Sequence, residues 1–310
     1  MTQSQVVLED PSARTLVAGD LEAVFLPGHG MLGASLRHRG TEILRRIEDL
    51  KAAAVKGSTA GIPLLYPWAN RLADFRYRAA EREVVLDPSS LLLHFDEHGL
   101  PMHGVPWSIL AWQVVETRQD FLAARLDWTR SALLAVFPFR HRLQMAATLC
   151  PESLTIETTL VASPENPVPV SFGYHPYFGL ADLPRAQWRL ELPAMKRLVL
   201  DQRGLPTGAE ESFGRFDAQL GGVGFDDGFA LTGQQAAFSL SGAGRRITVE
   251  LLAGYLYAQV FAPKDKDYIA LEPMTAPTSA LTSGRALRLV RPGEEFRAVF
   301  RICIDASPSK

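Results

Sequence analysis

At 310 residues the chain is at the upper end of what one hydrophobic core holds, so one large domain is expected over residues 1–310. A composition of 47% hydrophobic and 21% charged residues is that of an ordinary globular protein. The formal charge of −2, with acidic residues scattered among the arginines, gives no electrostatic reason to expect nucleic acid or an acidic membrane as partner.

The opening residues, MTQSQVVLEDPSARTLVAGD, lack the basic start and apolar core of a signal peptide. No apolar run approaches the length that spans a bilayer, so the expected location is the cytoplasm. Helical patterns are scarce: Glu42 to Lys56 and Ser131 to Val136 are the only modest candidates. Phe139, His141, Leu143, Met145, Ala147 and Leu149 share one face of a strand, and a Pro-Glu-Ser turn leads into Leu154, Ile156, Thr158 and Leu160, which predicts a hairpin. Ile247, Val249 and Leu251 alternate after a turn at Gly242 to Gly244, as do Phe296, Ala298, Phe300, Ile302 and Ile304 near the C-terminus. Frequent turns, with 24 Gly and 21 Pro, favour an all-β fold built as one large antiparallel β-sandwich. Cys150 and Cys303 are too few for a disulfide scaffold and suit buried or edge thiols in a reducing compartment.

Four segments carry residues suited to chemistry. In PVSFGYHPYF, Pro176 restricts His175 to extended backbone, which holds its imidazole at a strand end, and a histidine can give or take a proton near neutral pH. In LEPMTAPTSAL, Glu272 follows Tyr268-Ile269-Ala270-Leu271 in an apolar neighbourhood, where a carboxylate is either paired or functional. LYPWANRLADF contains Asn70 and Arg71, and a planar guanidinium suits a fixed fork of hydrogen bonds to neighbouring hydroxyls. GLPMHGVPW contains His103 ahead of Gly104. Tyr66, Trp68 and Trp107 are candidates for stacking on a ligand, although core packing is the commoner fate of such rings. His94 and His98 have the i,i+4 spacing of zinc ligands, but that spacing works only on a helix, and the Leu91-Leu92-Leu93 run with Gly99 and Pro101 predicts a strand and a loop. No phosphate-cradling glycine motif follows a strand, so a nucleotide cofactor is unsupported.

In this order the four segments resemble the aldose 1-epimerase (galactose mutarotase-like) family, over roughly Gly61 to Leu281. The resemblance implies the galactose mutarotase-like super-sandwich and an enzyme that interconverts the α and β anomers of a reducing sugar without cofactor or metal. It implies His175 as the acid that protonates the ring oxygen and Glu272 as the base that takes the anomeric hydroxyl proton. It implies sugar binding by Asn70, Arg71, His103, Tyr177, Asp226 and Gln259, with Asp227 an adjacent alternative that spacing does not exclude. The expected partner is a small-molecule sugar, bound by a monomer or homodimer. The chain departs from the family in reading His103-Gly104-Val105-Pro106-Trp107 where many members have His-Gly-Gly, so a preference for galactose is not implied. A sibling branch acting on hexose 6-phosphates lacks the Asn-Arg pair, although Arg76 and Arg78 leave phosphate recognition open. The other reading is a carbohydrate-binding protein that has lost catalysis, since fold alone does not fix function.

Overall fold

A computed structural model of the chain describes residues 10–46, 59–180 and 183–306. Alternating side chains build two large antiparallel sheets among these residues, as the sequence pattern predicts. The first has nine strands in the order Gln113–Thr117, Phe121–Trp128, His141–Cys150, Ser153–Ala162, Glu295–Ala306, Arg245–Ala253, Ala236–Gly242, Arg189–Leu192 and Phe216–Gln219. The predicted hairpin is its centre: Cys150 pairs with Ser153 across a two-residue turn, and Leu143, Met145, Leu149, Leu154 and Ile156 point into the core. Outward-facing residues of this sheet carry ion pairs, including Arg142 with Asp127 at 2.7 Å, Arg301 with Glu250 at 2.7 Å, and Arg297 with Glu157.

The second sheet runs Pro206–Phe213, Met195–Leu200, Phe225–Ala230, Tyr257–Ala262, Ile269–Met274, Gly173–Tyr174 and Leu64–Leu65, with Tyr177–Phe178 also paired to Ile269–Met274. One hydrophobic cluster runs from Leu16 to Ile304 and joins side chains of both sheets. A four-stranded sheet, Arg14–Ala18, Leu21–Leu26, Leu32–His38 and Thr41–Glu42, packs Leu16, Leu21, Ala23, Phe25 and Leu36 into the same cluster, and Val24, Leu26, Leu32 and Ala34 into a smaller one with Trp107. Among the described residues no helix is long and apolar enough to cross a membrane.

Two sequence expectations need correction, on a helix and on a thiol, and for two aromatics the packing alternative holds. Ser131–Val136 is a short helix, but Glu42 ends a strand and Leu44 makes an isolated β-bridge to Phe178, so residues 42–46 are not helical; residues 47–56 lie outside the described residues. Burial of Leu44 beside Phe178 outweighs the helical propensity there. Tyr66 and Trp68 are fully buried, with Tyr66 packed edge-on to Trp128 and Phe137, so neither presents a face to a ligand. Cys150 is exposed rather than buried, because it sits at the strand end where the outward parity meets the turn; Cys303 is half-buried, and both thiols are free.

Candidate active site

The second sheet places the central carboxylate by register. In the strand Ile269–Met274 every residue is buried, yet alternate residues face opposite ways. Ile269 and Leu271 enter the core, while Ala270 and Glu272 face the other side. Gln259 lies directly opposite Glu272, and Phe261 opposite Ala270. On the next strand Gly228 pairs with Gln259 and Asp226 with Phe261, so Asp226 shares this face while Phe225 and Phe229 turn to the core. Gly228 has a positional reason: a Cβ there would sit 3.2 Å from Gln259 Oε1 and 3.3 Å from Leu198.

His175 follows the two-residue strand Gly173–Tyr174 and precedes Pro176, at the strand end that the His-Pro dipeptide predicts. Its Nε2 lies 3.1 Å from Glu272 Oε1, with both side chains almost wholly enclosed. The ring stacks on Tyr177 at 4.2 Å and meets His103 edge-on at 5.7 Å. Burial lowers the pKa of His175, helped by the neighbouring His103, and raises that of Glu272, helped by Asp226. Desolvation therefore favours an uncharged pair that holds a single exchangeable proton across the 3.1 Å contact.

His103 and Asn70 form a reciprocal clamp. The His103 N–H donates to the Asn70 carbonyl at 2.9 Å, and the Asn70 N–H donates to His103 Nδ1 at 3.2 Å. Both residues have left-handed backbone, φ 61° and 58°, a conformation that costs non-glycine residues on the order of 1–3 kcal/mol. Burial pushes the His103 pKa down to about 3, so the ring is neutral; with Nδ1 accepting, its proton sits on Nε2, which makes it a donor. Gly104 is required by packing as well as by its φ of 70°, since a Cβ would fall 2.1 Å from the Tyr66 carbonyl oxygen.

Arg71 is buried and anchored rather than free. Its Nε donates to Asp96 at 2.5 Å, Nη2 reaches Glu97 at 3.4 Å, and Nη1 reaches the Asn70 side chain at 3.4 Å. Asp96 also accepts from the His98 and Leu100 N–H groups at 2.9 and 2.8 Å, which fixes the loop that carries it. The helix that zinc-type spacing of His94 and His98 needs is absent: His94 is on a two-residue strand and His98 in the turn that Asp96 organises. No cluster of three or more metal-ligating side chains occurs among the described residues.

Asp226 and Asp227 differ in their contacts. Asp226 accepts from Gln259 Nε2 at 2.8 Å, whereas Asp227 lies 3.4 Å from Arg197 on the opposite parity. Partial desolvation raises the Asp226 pKa, and the Gln259 hydrogen bond opposes the rise. Tyr177 is almost wholly buried beside the imidazole. Its hydroxyl meets Thr59 Oγ1 at 2.6 Å and His175 Nε2 at 3.3 Å, so it holds the imidazole. The structure thus connects His175, Glu272, Gln259 and Asp226 on one sheet face, with His103, Asn70 and Arg71 joined to them through the His103–His175 contact. Thr59 and Asp96 were not singled out from sequence for these roles; the Asx-turn pattern Asp96-Glu97-His98-Gly99 was the available signal for Asp96. Arg76 lies on an exposed hairpin, paired with Glu83 at 3.3 Å.

Residues 16–303 match the model of the family described as aldose 1-epimerase. The chain is 24% identical over 307 residues to the uncharacterized protein YihR of Escherichia coli K12, covering 93% of this chain and 92% of that one. Among solved structures it is similar to the Slr1438 protein of Synechocystis sp. PCC 6803, with TM-score 0.75, 25% identity and 96% of each chain covered. It also superposes on a galactose mutarotase-like protein of Clostridium acetobutylicum, with TM-score 0.81, 20% identity and 94% of each chain covered, a likeness of fold.

Proposed function

The chain belongs to the aldose 1-epimerase family, and from that premise we propose that it is a mutarotase, with His175 and Glu272 as its acid and base. The observation that carries this reading is the buried His175–Glu272 contact at 3.1 Å. Mutarotation needs one proton delivered to the ring oxygen and one removed from the anomeric hydroxyl, and both oxygens are carried by the same carbon. An acid and a base must therefore be neighbours, as these two groups are.

The proton inventory closes. With the shared proton on His175, the pair is an imidazolium and a carboxylate. Glu272 takes the anomeric hydroxyl proton as His175 gives its proton to the ring oxygen; the C1–O bond of the ring breaks and an open-chain aldehyde forms. The pair is then neutral, the state that burial favours. Rotation about C1–C2 and the reverse transfers close the ring on the other face. A positioned acid and base each contribute on the order of 10²–10⁴-fold. Nε2–H of His103, the Asn70–Arg71 segment and the Asp226–Gln259 pair supply donors and acceptors for the remaining hydroxyls, and Tyr177 orients the acid. A protein that only bound sugar would gain nothing from burying a matched acid and base at the cost of desolvating both.

A polarimetric time course on freshly dissolved α-D-glucose and α-D-galactose tests the proposal. Approach to the anomeric equilibrium should be accelerated in proportion to enzyme concentration. Rates equal to the buffer blank on a broad panel of aldoses would leave the site as a binding module.

A further inference from the structure

Arg71 is touched by two loops that share a sequence pattern and an internal bonding scheme. Asp96-Glu97-His98-Gly99-Leu100 and Asp201-Gln202-Arg203-Gly204-Leu205 both read Asp-x-x-Gly-Leu. In the first, the Asp96 carboxylate accepts from the His98 and Leu100 N–H groups at 2.9 and 2.8 Å. The Asp96 N–H donates to the Leu100 carbonyl and the Gly99 N–H to the Asp96 carbonyl, each at 3.0 Å. In the second, the Asp201 carboxylate accepts from the Arg203 and Leu205 N–H groups at 2.8 and 3.0 Å. The Asp201 N–H donates to the Leu205 carbonyl at 2.8 Å and the Gly204 N–H to the Asp201 carbonyl at 3.0 Å. Both glycines have a φ of 72°. An aspartate that bonds the backbone two residues on, closed by a left-handed glycine, makes a turn that holds its own shape.

The twin loops meet Arg71 by different means. The first reaches the edge of the guanidinium with carboxylates, Asp96 on Nε and Glu97 on Nη2, while Asn70 takes Nη1. The second brings bare backbone. A Cβ on Gly204 would lie 3.1 Å from Arg71 Nη1, 3.3 Å from Cζ and 3.5 Å from Nε. Similar distances to three coplanar atoms put that point over the flat face of the guanidinium rather than at its edge. A Cβ on Gly99 would meet nothing within 4 Å. Gly204 therefore answers to Arg71 as well as to its own φ, and Gly99 to its φ alone. A guanidinium bonds oxygens near its own plane, so the tilt of that plane decides which hydroxyls it can reach. Two of its three edge bonds are long, at 3.4 Å, and restrain the tilt weakly. Backbone packed against the face restrains it directly. We propose that Gly204 is a positioning residue for sugar binding, its backbone covering one face of Arg71 and setting the tilt at which the remaining N–H groups meet substrate hydroxyls. The proposal rests on Arg71 as a sugar-binding residue of the mutarotase read above.

The test uses the full chain with D-glucose and D-galactose, following mutarotation by polarimetry and affinity by titration calorimetry. Gly204→Ala should raise KM and weaken affinity by roughly 3–10-fold with kcat within about twofold, because a small displacement of the fork misaligns binding and not proton transfer. Gly99→Ala adds the same left-handed strain to the twin loop without the contact, and should change KM by less than about twofold. In an Arg71→Ala background, Gly204→Ala should add less than about twofold, as two residues acting through one contact do. Asp201→Ala, at an exposed position, removes the carboxylate bonds that shape the loop and serves where Gly204→Ala does not fold. It too should raise KM only while Arg71 is present. Equal KM losses in Gly99→Ala and Gly204→Ala, an unchanged KM in Gly204→Ala, or a loss that persists without Arg71 would overturn the proposal. If no sugar is turned over, an affinity loss from Gly204→Ala that Arg71→Ala absorbs keeps the positioning role and removes the mutarotase reading. Normal turnover with KM and affinity blind to Gly204 does the reverse.

Discussion

The two large sheets treat charge in opposite ways. The nine-stranded sheet keeps its charged residues on the outward face, where Arg297 pairs with Glu157 and Arg142 with Asp127 in contact with water. In the other sheet the strand Ile269–Met274 is buried on both faces and still holds a carboxylate, Glu272. Exposed pairs of the first kind contribute little because water screens them. A carboxyl of the second kind is held against a desolvation cost that only a specific use justifies. Location in the sheet, more than residue type, separates surface charge from chemistry.

Breaking the buried pair should give the largest effect. Glu272→Gln and His175→Asn are each expected to lower kcat on the best sugar by about 10²–10⁴-fold while sugar binding persists. The raised Glu272 pKa adds a stability signature. A group whose folded pKa is raised contributes stability below its ordinary 4.5 and loses it as pH climbs toward the folded value. Glu272→Gln should therefore melt no lower than wild type at pH 8; a clear drop in melting temperature there would contradict the desolvation argument.

The binding arm should respond next, and differently. Arg71→Ala is expected to raise KM by roughly 10–100-fold with a smaller effect on kcat, since its contacts change little during ring opening. Arg71→Lys should rescue only in part, because an ammonium cannot reproduce the fork. Asp96→Asn, which loosens the anchor without touching sugar, should give a weaker form of the same KM effect. If Arg71→Ala leaves KM unchanged, Arg71 holds its loop and nothing else.

A smaller effect concerns pH. His141 donates from Nδ1 to the Phe139 carbonyl at 2.6 Å and accepts from the Tyr66 hydroxyl, and burial lowers its pKa from 6.5 to about 4. The unfolded chain takes up a proton that the fold refuses, so stability present above about 6.5 is lost progressively as pH falls toward 4. His103, with its pKa near 3, adds to the same slope. Thermal melts should fall between pH 7 and pH 5, and equal midpoints would contradict the neutral assignment of both rings. The smallest effect belongs to the outer face, where Arg297→Ala should cost about 0–1 kcal/mol and leave activity intact.

Much of this was legible in the sequence because period-two burial writes itself directly into it. The hairpin at Cys150 and Ser153, the strands after Gly244 and near the C-terminus, and the strand-end position of His175 before Pro176 all follow from local rules. The facing of Gln259 and Glu272 does not, because cross-strand register is a long-range property. Nor does the carboxylate that holds Arg71, since Asp96 is 25 residues away. Tyr66 and Trp68 left two readings open in the sequence, with core packing the commoner, because an aromatic beside a site motif and one in the core look alike until packing is known.

The opposition of Gln259 and Glu272 has a consequence for how the protein can be handled outside the cell. A slip of one residue of the strand Ile269–Met274 against Tyr257–Ala262 would turn Glu272 into the apolar interior and away from Gln259, while leaving most of the hydrogen-bond ladder and the far-ultraviolet spectrum intact. Chains recovered from denaturant in such a state would look native by spectroscopy and by size. Specific activity per folded molecule is therefore a readout of strand alignment, and active-site titration, rather than circular dichroism, is the appropriate measure of yield for refolded material.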